Sequence, residues 1–116
     1  MIVTLRYSSD CPNWRTMEQR LKDALRAAGL DTVPINYERV ETHNEAERLG
    51  FIGSPTVLID GRDPFASPGA PIGLACRLYP TQAGLAGSPT IEQLTEAVRV
   101  EQGRVKTGGP RGGQAF

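Results

Sequence analysis

The chain has 116 residues, a length that suits one domain, because two independent cores would each fall near the limit of folding alone. Its 39% hydrophobic and 22% charged residues describe a globular protein, and no apolar run approaches the roughly 18–20 residues that cross a bilayer. Thirteen Lys and Arg cancel thirteen Asp and Glu, so neither nucleic acid nor an anionic membrane is an expected partner.

Residues 2–7 carry Ile2, Val3, Leu5 and Tyr7, a β-branched and aromatic run that predicts a first strand ending at Ser8-Ser9-Asp10. From Trp14, apolar residues recur at Met17, Leu21, Leu25 and Ala28, steps of three and four that predict a helix closed by Gly29. Residues 32–37 predict a second strand, at an edge because Pro34 cannot donate to a ladder. A short helix over 42–49 stops at Gly50, and 56–60 form a compact strand before the turn Asp60-Gly61. The returning strand is expected at 75–79, after a proline- and glycine-rich stretch that looks inserted. Ser88-Pro89, or Thr90 with Gln93, opens a last helix whose buried stripe is Ile91, Leu94 and Val98. This order predicts a parallel crossover from the first strand to the second, with the last two strands antiparallel on the same sheet. Residues 1–102 are the expected domain. Residues 103–116 hold too little apolar surface to offset their ordering entropy and are expected to be a disordered tail.

The first residues lack a basic segment followed by an apolar core and a small-residue cleavage site, which predicts a cytoplasmic, reducing location. Two cysteines, Cys11 and Cys76, are too few for a disulfide scaffold and lack zinc-site spacing. The single histidine, His43, rules out a multi-histidine metal centre and is expected to be exposed. No cofactor is expected. Cys11 lies where a strand meets a helix, with Pro12 suited to the first turn. The positive end of a helix can lower a cysteine pKa from about 8.5 to roughly 3.5–7.5, which makes a nucleophile. The polar turn Ser8-Ser9-Asp10 is a poor place to bury a thiol. Asp10 is expected to cap the helix, Arg15 to lie on its solvated face, and Trp14 to pack or to wall a thiol site.

Gly53-Ser54-Pro55-Thr56 puts a proline directly before a buried strand. Together with the element order and Cys11-Pro12-Asn13-Trp14, it resembles the thioredoxin-like superfamily over most of residues 2–102. The resemblance implies a three-layer α/β sandwich with a four-stranded mixed sheet and about three helices. It also implies a cis Pro55 beside Cys11, with Pro12, Trp14, Ser54, Pro55 and Thr56 at the substrate and backbone groups of Ser54 and Thr56 offered to an extended thiol. Trp14 stands where the family has its second cysteine, so a local Cys-x-x-Cys cycle is impossible.

A one-cysteine site can still form mixed disulfides or a sulfenic acid, or capture a soft metal. The expected function is therefore thiol oxidoreductase chemistry at Cys11. Its partner is a thiol or disulfide, on a protein or a small molecule, and the chain is expected to be a monomer or weak dimer. A non-catalytic binding module and a soft-metal or organomercurial-handling protein are the alternatives. The segments 61–65 and 73–79 resemble an insertion in small bacterial thioredoxin-like proteins of alkylmercury-lyase-like type. If 75–79 pairs antiparallel with 56–60, Cys76 lies opposite the far end of that strand, which predicts no resident Cys11–Cys76 disulfide. Cys76 is then structural, with a resolving or metal-sharing role as the alternative.

Overall fold

The computed structural model describes residues 1–107. Strand β1 (Val3–Tyr7) turns Val3 and Leu5 into the core, both 0% exposed, as its alternating pattern requires. Helix α1 (Asn13–Ala27) follows Pro12, whose φ of −70° already suits a helix, and buries Met17, Leu21, Ala24 and Leu25. Pro12 itself stands at the helix cap and no side chain bonds there, so Asp10 is not a cap. It is exposed, because the Ser8–Cys11 turn closes through the backbone instead, Cys11 N–H donating to the Ser8 carbonyl at 3.1 Å.

Strand β2 (Ile35–Arg39) lies parallel to β1 with Val3 opposite Ile35, and it is an edge strand as Pro34 predicts. Helix α2 (His43–Leu49) starts with a full capping box. Thr42 accepts from the Glu45 N–H, and Glu45 accepts from the Thr42 N–H. Strand β3 (Thr56–Ile59) runs antiparallel to β1, with Arg6 opposite Thr56 and Val3 opposite Ile59, giving the order β2-β1-β3.

The sheet is therefore mixed and three-stranded, not four-stranded. Beyond the turn at Asp60 and Gly61 only Arg62 bridges back, to Ile59. Pro64 then arrives without an N–H, and the Asp63 carboxylate takes the Phe65 N–H at 2.8 Å, so the chain leaves the ladder. Residues 75–78, expected as a strand, join no ladder of the sheet and make one isolated parallel bridge, between Cys76 and Ser54. Strands β4 (Tyr79–Thr81) and β5 (Gly84–Ala86) form a separate antiparallel hairpin.

Helix α3 (Ile91–Thr107) opens with Thr90 and Gln93 exchanging side-chain to backbone bonds at 2.9 and 3.0 Å. It continues past Gln102, where the domain was expected to end; residues 108–116 of the expected tail lie outside the described residues. Leu94, Ala97 and Val98 are buried, but Ile91, at the first helical position, is 37% exposed and sits at the rim of the stripe instead of in it.

The main core joins β1 and β3 to α1, α3 and Tyr79. A smaller cluster of Val40, Ala46 and Phe51 lies under α2 and takes in Leu49 and Leu74. Arg6, on the opposite face of β1 from Leu5, forms an ion pair with Glu38 and reaches the Leu49 carbonyl at 3.4 Å. Helices thus flank both faces of the sheet. Among the described residues, no helix is long and apolar enough to cross a membrane.

Candidate functional site: a cysteine pair beside a cis-proline

Cys11 and Cys76 form a disulfide, with Cα atoms 5.7 Å apart. That overturns the expectation of separated sulfurs. The physical reason is the path of residues 75–77. They run parallel beside Ser54, two residues before β3, instead of antiparallel along the strand. The Ser54 N–H donates to the Ala75 carbonyl at 3.0 Å, and the Arg77 N–H donates to the Ser54 carbonyl at 2.7 Å. Cys76 is carried to the N-terminal end of α1, where Cys11 waits. The loop that carries it offers turn residues and no periodicity, so sequence spacing could not reveal this approach.

The two sulfur-bearing residues differ in exposure. Cys11 is 2% exposed, against the expectation from its polar turn, whereas Cys76 is exposed. Cys11 Sγ lies 3.6 Å from the Ser54 carbonyl oxygen, while the start of α1 offers it the positive end of the helix.

Ser54-Pro55 is a cis peptide, and both residues are buried. Ser54 ties the site together through its side chain as well, its Oγ accepting the Ser8 N–H at 2.9 Å. The backbone groups assigned to an extended substrate are occupied here, those of Ser54 by Ala75 and Arg77. Thr56 lies in the ladder with Arg6, and its hydroxyl donates to the Gly53 carbonyl at 2.7 Å.

Pro12 is exposed at the mouth of α1. Trp14 is half-buried and stacked on Tyr7, ring centroids 4.4 Å apart, with the Arg15 guanidinium 4.7 Å above it; packing accounts for its contacts. His43 is exposed, on α2, and pairs with Glu47 at 3.6 Å.

Several supporting residues went unnoticed in the sequence. Arg77 is 8% exposed, and its guanidinium donates to Asp63 at 2.7 Å, to the Thr56 hydroxyl at 3.1 Å and to the Phe65 carbonyl. It also covers the Tyr79 ring at 4.5 Å. Tyr79 in turn donates its hydroxyl to the Pro55 carbonyl, and burial pushes its pKa well above the ordinary phenol value. The one available signal was a basic residue inside the apolar run Leu74–Tyr79, which needs a buried anion if it points inward.

Gly53 is the other. A Cβ there would lie 3.0 Å from both the Ala75 oxygen and the Arg77 Cβ, and its φ is +127°. Only glycine lets residues 75–77 approach. At the other side of the site, Gly87 leaves room for the Asn13 side chain, which a Cβ would overlap.

Among the described residues, no group of three or more His, Cys, Asp or Glu could hold a metal ion. Comparison with family models, with curated proteins and with solved structures finds no match to this chain.

Proposed function

We propose that the chain is a thiol–disulfide redox protein of thioredoxin-like architecture, in which Cys76 supplies the second sulfur that Trp14 displaces from the usual motif. The observation that carries this reading is one disulfide joining a buried cysteine at a helix N-terminus, beside a cis-proline, to an exposed cysteine on a loop. An incoming thiolate attacks Sγ of the exposed Cys76. The sulfur–sulfur bond breaks, its electron pair leaves on Cys11 Sγ, and the helix N-terminus stabilises that charge. A second thiolate then attacks the substrate sulfur of the mixed disulfide and releases Cys76. Two thiols leave as one disulfide, and the protein gains two electrons and two protons. The reverse sequence reduces a substrate disulfide.

The test is equilibration of the native protein with graded mixtures of reduced and oxidised glutathione, read by alkylation and peptide mass spectrometry. The expected result is a two-electron transition of the Cys11–Cys76 pair, with a mixed disulfide trapped on Cys76 in Cys11→Ser. A pair that yields only after denaturation is a structural staple, and the binding-module alternative then stands.

The same closeness of the sulfurs supports one second reading, capture of a soft two-coordinate cation such as Hg(II) by the reduced pair. One equivalent protecting both thiols from alkylation would favour it. Independent alkylation of the two would sink it.

A further inference from the structure

Residues 73–77 lie across the site as a strap, held at five points. The Gly73 N–H donates to the Phe51 carbonyl at 3.1 Å, and Leu74 is half-buried against the Phe51 cluster. Ala75 and Arg77 bond the backbone of Ser54, and Cys76 is bonded to Cys11. Its ends and its middle are unlike. Arg77 is pinned by Asp63, Thr56 and Phe65 through a buried guanidinium. Ala75 and Cys76 are exposed, and most of the stretch 66–72 before them is exposed too.

Beneath the strap, Ser54 is 0% exposed and Cys11 2%, although Asp10 and Pro12 on either side of Cys11 are open to solvent. The strap bonds directly to both of these buried residues, and the covalent bond is the strongest tie holding its middle down.

We infer that residues 75 and 76 are the redox-gated middle of a strap anchored at Leu74 and Arg77, which closes over Cys11 and the Ser54 backbone when the disulfide forms and lifts when it is reduced. Reduction takes two electrons and two protons, delivered for instance by dithiothreitol, which leaves as its cyclic disulfide. Lifting frees the Ser54 N–H and carbonyl as an edge beside the Cys11 thiol. The inference rests on the redox reading of this cysteine pair.

Hydrogen exchange of the full chain, read by mass spectrometry, tests it. Three samples are compared: oxidised protein, protein reduced by dithiothreitol, and Cys76→Ser. The Ser54 and Arg77 amides are expected to exchange roughly tenfold faster once the bond is gone, each having lost a hydrogen bond, while Leu5 and Val57 in the sheet keep their protection. Unchanged Ser54 and Arg77 protection in Cys76→Ser would overturn the strap. So would loss of protection throughout β1 and β3, which would make the disulfide a staple for the whole fold. A wild-type disulfide that resists dithiothreitol overturns the redox reading and the gating with it, whereas Cys76→Ser reports without any exchange reaction whether the bond is what holds the strap down.

Discussion

Two side chains show how much a single residue decides here. Arg77 carries a charge into a nearly closed space, and it is stable there because Asp63 neutralises it and two further oxygens receive its N–H groups. Truncation leaves the Asp63 carboxylate without its cation. Arg77→Ala is therefore expected to destabilise the protein by roughly 2–3 kcal/mol in urea titration. Tyr37 illustrates a titrating contact on the surface. Its hydroxyl donates to Glu18, and this bond first, then burial, raises its pKa to about 12. A phenol raised above its unfolded value stabilises the fold while it is protonated. That contribution is whole below about pH 10 and is lost as pH rises toward 12. Phenolate absorbance is expected to show one tyrosine titrating near 12, and Glu18→Ala to return it toward about 10.

At the scale of an element, α2 is short enough that its cap governs it. Thr42→Ala is expected to cost about 1 kcal/mol by removing one half of the box. The Glu45 carboxylate is held below its usual pKa by the N–H groups of Glu41 and Thr42, so its contribution is present above the unfolded carboxylate range and fades as pH falls through the lowered value. Protection factors of the α2 amides are expected to fall first on acidification, ahead of those of β1. Gly53 acts on another element, the 75–77 segment. A Cβ at this position meets backbone, and a φ of +127° strains any other residue. Gly53→Ala is expected to cost about 1–3 kcal/mol and to slow formation of the Cys11–Cys76 bond in air oxidation.

Across the whole molecule, the disulfide ties positions 65 apart in sequence, the junction of β1 with α1 to the segment that returns from β3. Constraining a loop of that size removes enough unfolded-state entropy to stabilise the fold by about 4 kcal/mol. The urea midpoint of the reduced protein is expected to fall accordingly. The core that joins β1 and β3 to α1 and α3 includes neither cysteine, and reduced protein is expected to retain its far-ultraviolet circular dichroism.

Much of this was legible one turn at a time. The apolar spacing from Met17 to Leu25, the capping pair Thr90 and Gln93, the edge position of β2 after Pro34, and the thiol at the strand-to-helix junction are all local, each settled by residues within a few positions of one another. The path from Arg62 to Leu78 is not. Its prolines and glycines carry no period, and its course depends on contacts made far along the chain: Gly53 admitting Ala75, Thr56 receiving Arg77, Phe51 receiving Gly73. Sequence by itself determined a mixed α/β domain and placed Cys11 at the junction of a strand and a helix. Only the tertiary structure decided that Cys76 is its partner, because a backbone bridge between residues 54 and 76 is specified by close packing and not by any pattern along the chain.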